Sequence, residues 1–110
     1  MKMYLDTSTS LAKLKLDDKV YEQEFDRAMT EKILAFIHDK LVANSADWHD
    51  ISEITYFSGP GSFTGLRIGA TIVNTLADQL GIPLFNHHGK KHQIIIPDYG
   101  RPANISAPKK

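Results

Sequence analysis

Apolar and polar positions alternate with a period of two up to Phe25 and then change to a helical period. Met3 to Asp6 predicts a short strand that stops at Asp6-Thr7-Ser8-Thr9-Ser10, a run of turn and cap formers. From Leu11 to Leu16, Ala12, Leu14 and Leu16 fall on one face and Lys13 and Lys15 on the other, as in a half-buried strand. Asp17-Asp18-Lys19 predicts a tight turn, and Val20 to Phe25 alternates again, so the chain opens as three short antiparallel strands. Beyond them Ile33, Leu34, Ile37, Leu41 and Val42 recur at helical spacing, with Thr30 as the expected cap and Glu31 well placed against the helix dipole. Polar residues 44–50 end that helix. Ile54-Thr55-Tyr56-Phe57 predicts a fourth strand, and after a glycine-rich turn a second helix runs over residues 63–80. Gly81 stands where a left-handed stop is wanted, Pro83 enforces it, and Ile82 to Phe85 predicts a further strand.

The resulting order, β-β-β-α-β-α-β, is that of a ribonuclease H-like α/β sheet, with parallel pairing and right-handed crossovers in its second half. Residues 1–86 are expected to form this one domain and residues 87–110 an extended tail, patterned only from Gln93 to Ile96. There is no internal repeat and no low-complexity segment.

At 110 residues with 42% hydrophobic content, the chain has room for a single core. It has no cysteine, which excludes disulfides and thiolate zinc sites. No apolar run approaches the roughly 20 residues that span a bilayer. The N-terminus lacks a basic-then-apolar leader pattern, and a soluble cytoplasmic protein is expected. The net charge is zero but uneven. Residues 1–88 hold 8 Lys/Arg against 12 Asp/Glu, whereas the tail holds Lys90, Lys91, Arg101, Lys109 and Lys110 against Asp98. That asymmetry fits either an acidic partner or RNA on the tail, or a solvated tail with incidental lysines.

The segment Phe57-Ser58-Gly59-Pro60-Gly61-Ser62-Phe63-Thr64-Gly65-Leu66-Arg67-Ile68-Gly69 occupies a strand-turn-helix, the setting in which phosphates bind. It fails as a P-loop, because Gly65 is followed by Leu66-Arg67 and not by Lys-Ser/Thr. It fails as a dinucleotide turn, because Thr64 stands where the third glycine belongs. The glycines at 61, 65 and 69 recur every fourth residue, and each glycine inside a helix costs about 1 kcal/mol against alanine. Something must therefore pack very close to this stripe: either the chain's own sheet or a partner helix. The partner reading extends the stripe toward Ile72, Val73 and Leu76. Arg67 is an isolated cation at the helix start, suited to an acidic partner, a phosphate or the turn's own carbonyls, or simply solvated.

Phe57 to Gly69 closely resembles the G-P-G-S-F-T-G-L-R-x-G signature of the bacterial TsaB (YeaZ) family. Tyr4-Leu5-Asp6-Thr7-Ser8-Thr9 resembles that family's opening strand and turn, and Leu80-Gly81-Ile82-Pro83-Leu84 the strand after its second helix. The resemblance implies one half of an actin-like ATPase fold and a degenerate paralogue of the catalytic subunit TsaD. It implies pairing with TsaD through two N-terminal helices, here residues 30–44 and 63–80. The complex, with the ATPase TsaE, would transfer threonylcarbamoyl to adenosine 37 of tRNA, so tRNA would be met only indirectly. A homodimer through the same helices is the alternative when TsaD is absent. The partner face expected on this basis is Ile33, Ile37 and Leu41 with Gly61, Phe63, Gly65, Leu66, Arg67, Gly69, Ile72, Val73 and Leu76. Family members have a second lobe of similar size that this chain lacks. Pro97-Asp98-Tyr99-Gly100-Arg101-Pro102 resembles a P-x-Y-x-R segment near the family's C-terminus, so the expectation is an internal loss of the lobe with the tail kept. An interlobe cleft, where fold relatives hold ATP, would then be missing.

For catalysis the rival reading is a minimal ribonuclease H-like nuclease or ATPase that uses Asp6 with magnesium. Such a site needs further carboxylates converging on two ions about 4 Å apart. Asp47, Asp50 and Glu53 are the candidates, and the bland alternative is that Asp6 caps the following turn. His87, His88 and His92 form a cluster expected to be a solvated loop and not a metal site. Helix capping accounts for Ser58, Ser62 and Thr64. No cofactor, metal or catalytic residue is expected.

Overall fold

A computed structural model of the chain describes residues 1–25 and 29–97. Its elements are β1 (Lys2–Asp6), β2 (Leu11–Leu16), β3 (Lys19–Glu24), α1 (Met29–Ala43), a short 3-10 turn (Trp48–Asp50), β4 (Glu53–Tyr56), α2 (Phe63–Leu80), β5 (Leu84–Asn86) and β6 (Lys91–His92). They build one mixed sheet in the order β3-β2-β1-β4-β5-β6. The first three strands are antiparallel; β1 runs parallel to β4, and β4 parallel to β5. This is the ribonuclease H-like arrangement expected from the hydrophobic pattern.

Both parallel links, β1 to β4 and β4 to β5, step the same way across the sheet. Right-handed crossovers therefore bring α1 and α2 to the same face. The register makes that face continuous. Met3 stands opposite Leu16 and beside Ile54, and Leu5 opposite Leu14 and beside Tyr56. These side chains form one buried cluster with Ile33, Phe36, Ile37 and Leu41 of α1 and Ala70, Val73 and Ala77 of α2. The alternate positions Tyr4, Asp6, Lys13, Lys15, Glu53 and Thr55 point to the opposite face and remain partly or fully exposed.

The stops are local chemistry. Gly81 adopts the left-handed conformation, φ 65°, and its N–H closes α2 on the carbonyls of Ala77 and Asp78. Only glycine does this without a Cβ penalty. Asp47 and Asp50 form a reciprocal capping box around the 3-10 turn.

Two expectations change. Thr30 lies inside α1, which already begins at Met29, so it is not the cap. The fold also runs past residue 86. The antiparallel pair β5–β6 extends the sheet, and Ile95 is 3% exposed. The positions of Asp98, Arg101, Lys109 and Lys110, and most of the P-x-Y-x-R segment, lie outside the described residues. No helix among the described residues is long and apolar enough to cross a membrane.

Candidate functional site

The glycine-rich turn is fastened to the end of β1. Ser62 caps α2 by accepting the Gly65 N–H on its hydroxyl, and its own N–H donates to the Ser8 carbonyl at 2.8 Å. One turn further on, the Thr7 hydroxyl donates to the Gly65 carbonyl at 2.6 Å and the Tyr56 hydroxyl to the Leu66 carbonyl at 2.8 Å. A Cβ on Gly61 would fall within 3.0 Å of Ser8, one on Gly65 within 3.0 Å of the Thr7 carbonyl, and one on Gly69 within 3.0 Å of both the Thr7 hydroxyl and the Tyr56 ring. The stripe of glycines is thus occupied by the chain's own turn after β1 and by Tyr56 of β4.

This corrects the partner-helix reading of the stripe. Gly65 and Gly69 clear space for Thr7, just past β1, and for Tyr56 of β4, and both are buried. Ile33, Ile37, Leu41, Leu66 and Val73 are each 0% exposed within the protein's own core, so they offer no surface to a partner. A helix has one stripe that meets the sheet, and these residues are that stripe on each helix. Of the expected face, Gly61, Phe63 and Arg67 are exposed, and Ile72 and Leu76 are half-buried.

The open surface lies one step around each helix. Thr30 and Leu34 of α1 and Thr64, Arg67, Ile68, Thr71 and Ile72 of α2 line an apolar groove between the two helices. Leu34 is 46% exposed, and further along α1 Val42 is 58% exposed. Arg67 supplies the one charge among the residues lining the groove. Leu34, Ile68, Thr30, Thr64 and Thr71 were missing from the expected face. A signal existed in the adjacent apolar pairs Ile33-Leu34 and Leu41-Val42: neighbours about 100° apart on a helix spread the apolar arc beyond the stripe centred on Ile33, Ile37 and Leu41.

The candidate catalytic groups do not converge. Asp6 spends one carboxylate oxygen on the Ser8 N–H at 2.8 Å and the Ser8 hydroxyl at 2.6 Å, the turn-capping role. Glu53 pairs with Lys2 at the opposite end of the strands from Asp6, a separation of roughly 13 Å along β1. Asp47 and Asp50 are engaged with each other's backbone. His87 accepts the Ser58 N–H on Nδ1 at 3.3 Å and packs at a tilt against the rings of Phe57 and His88, while His92 faces Asn86 at 3.1 Å. Among the described residues no three His, Asp or Glu side chains are placed to share a metal ion.

Comparison with known proteins then adds the following. The family model described as TsaD, tRNA N6-adenosine threonylcarbamoyltransferase, matches residues 17–93, more than half of the chain. The chain is 34% identical over 84 residues to the tRNA threonylcarbamoyladenosine biosynthesis protein TsaB of Escherichia coli strain K12, covering 73% of this chain and 36% of that protein. Against the protein of the same name from Haemophilus influenzae the identity is 39% over 85 residues, with the same two coverages of 73% and 36%. The fold superposes on YeaZ from Pseudomonas aeruginosa with a TM-score of 0.68 at 27% identity, covering 77% of this chain and 42% of that one. The chain therefore spans about 36% of the length of these curated relatives.

Proposed function

Because the chain belongs to the family described as TsaD, tRNA N6-adenosine threonylcarbamoyltransferase, and within it to the TsaB (YeaZ) proteins, we propose that it is a scaffold subunit without an active site of its own. It pairs with TsaD across the α1–α2 groove and supports formation of N6-threonylcarbamoyladenosine at position 37 of tRNA, with TsaE joining the larger complex. The observation that carries this reading is the groove itself. Both helices complete the core and still leave Leu34 exposed and Ile68 and Ile72 half-buried along the groove, around a single cation. Open apolar strips of this kind, rimmed by polar side chains, mark places where proteins meet. Arg67 selects for a carboxylate on the partner. A second copy of the chain is the alternative occupant when TsaD is absent.

The test is co-purification with the TsaD of the same cell. A one-to-one complex is expected, with tRNA modification by TsaD and TsaE dependent on this chain. Absence of any complex overturns the reading. So does magnesium-dependent cleavage of ATP or nucleic acid by the isolated chain that Asp6→Asn abolishes.

A further inference from the structure

The turn that joins β5 to β6 is built around one carboxamide. The Oδ1 atom of Asn86 accepts the His88 N–H at 2.9 Å and the Lys90 N–H at 3.0 Å. The main chain of Asn86 closes the same turn: its N–H donates to the Lys90 carbonyl and its carbonyl accepts the Gly89 N–H, both at 2.9 Å. β6 is two residues long, Lys91–His92, and pairs with β5. So short a strand leans on its turn, and Asn86 holds the turn.

Two N–H donors on Oδ1 fix which way the amide faces, because only its oxygen can accept them. The amide nitrogen, which can only donate, therefore points at His92, whose Nε2 lies 3.1 Å away. A donor in that place requires a lone pair on Nε2, and so a neutral ring with its proton on Nδ1. An imidazolium carries N–H groups on both nitrogens and sets donor against donor. Turning the amide over does not relieve this, since its nitrogen would then face the N–H groups of His88 and Lys90.

We infer that the Asn86–His92 contact is a proton-sensitive clasp, which closes the β5–β6 turn while His92 is neutral and opens when Nε2 takes up a proton. Its stabilisation is present at the alkaline end of the histidine range and is lost as pH falls through it. Asp78 of α2 and Lys91 line one groove with His92, and His87, His88 and Lys90 belong to the turn itself. Asp78 favours the imidazolium and the lysines oppose it. These charges bias the uptake of the proton, and the donor opposite Nε2 couples that uptake to the turn. β6 leads into Ile95, which Asn74 clamps onto α2 by accepting its N–H at 2.8 Å and donating to its carbonyl at 3.0 Å. The clasp therefore sits at the root of the segment laid on α2.

The experiment is nitrogen NMR of the whole chain, with hydrogen exchange of the Asn86 and Lys90 amides followed over the same pH range. At about pH 8 the His92 ring should carry its proton on Nδ1 and none on Nε2. Acidification to about pH 5 should cut the protection of the two amides about tenfold, after correction for their intrinsic exchange rates. His92→Gln can accept the same hydrogen bond without titrating, so its protection should stay level. Asn86→Asp places an acceptor opposite Nε2 as well, so its protection should rise on acidification. A proton on Nε2 at the alkaline end, a level wild-type profile, or an equal fall in His92→Gln overturns the inference. If Asn86→Asp fails to fold, the ring tautomer and His92→Gln decide.

Discussion

The hydroxyls of Thr7 and Tyr56 lie 3.0 Å apart in the buried seam where β1, β4 and the first turns of α2 meet. Each also donates to a helix carbonyl, Thr7 to Gly65 and Tyr56 to Leu66. Two hydroxyl protons are shared over these three contacts, so the pair acts as a unit. Tyr56→Phe should destabilise by about 1 kcal/mol, and Thr7→Val by about the same. Because the groups share protons, the double variant should lose less than the sum, with a coupling of about 0.5–1 kcal/mol. Urea denaturation of the four proteins closes the cycle; strict additivity would mean that the two hydroxyls act independently.

Space at the same seam is tighter than any single added methyl can fill. Gly65→Ala forces its Cβ against the Thr7 carbonyl, which is backbone and can move only with β1. Gly69→Ala presses on the Thr7 hydroxyl and the Tyr56 ring. The helix-propensity gain of about 1 kcal/mol from removing a glycine is outweighed by overpacking of about 1–3 kcal/mol, and the backbone clash at Gly65 should be the worse of the two. Thermal melts should therefore place Gly65→Ala lowest, then Gly69→Ala, both below wild type. A rise in melting temperature for Gly65→Ala would contradict the packing described.

Ile37 and Leu34 separate core from surface on one helix. Ile37→Ala empties a site that is 0% exposed and should cost about 2–4 kcal/mol of stability. Any loss of partner binding in Ile37→Ala should track the unfolded fraction and disappear at temperatures where the variant is fully folded.

How much of this was legible in the sequence follows from which forces are local. The strands, both helices and the stop at Gly81 are written in periodicity and turn chemistry, and β2 and α2 match their expected bounds residue for residue. The glycine spacing correctly signalled a close approach, but not by what. Choosing between a partner and the chain's own sheet depends on where Thr7 and Tyr56 arrive, and that is set by sheet register. Likewise Ile33 and Leu34 are equally apolar, and only the helix's rotation about its axis decides which one meets the sheet. The clamp of Asn74 on Ile95 joins residues 21 apart through a polar side chain that no hydrophobic pattern marks. Ile95, expected in an extended tail, is therefore packed.

Tyr4 gives a pH signature of the uncovered sheet face. Partial burial first, and the nearby Asp6 carboxylate second, raise its phenol above the ordinary value of 10.0. The folded protein then keeps this proton where the unfolded chain loses it. The corresponding stability is fully present below pH 10.0 and declines as pH rises from there through the raised folded value. A spectrophotometric titration of the wild type against Tyr4→Phe should assign a late-ionising phenol to Tyr4, and Asp6→Asn should bring it back partway. A Tyr4 phenol ionising at the ordinary value of 10.0 would contradict this.

Affinity of the Leu34→Asp variant for TsaD is the most direct measure of the docking claim. Leu34 is 46% exposed in the groove and outside the core, so a charge there should leave the melting temperature of the isolated chain unchanged. Placed against an apolar partner surface, the same charge should weaken the complex by about a hundredfold. A stable, folded Leu34→Asp chain that binds TsaD as tightly as wild type would contradict the account.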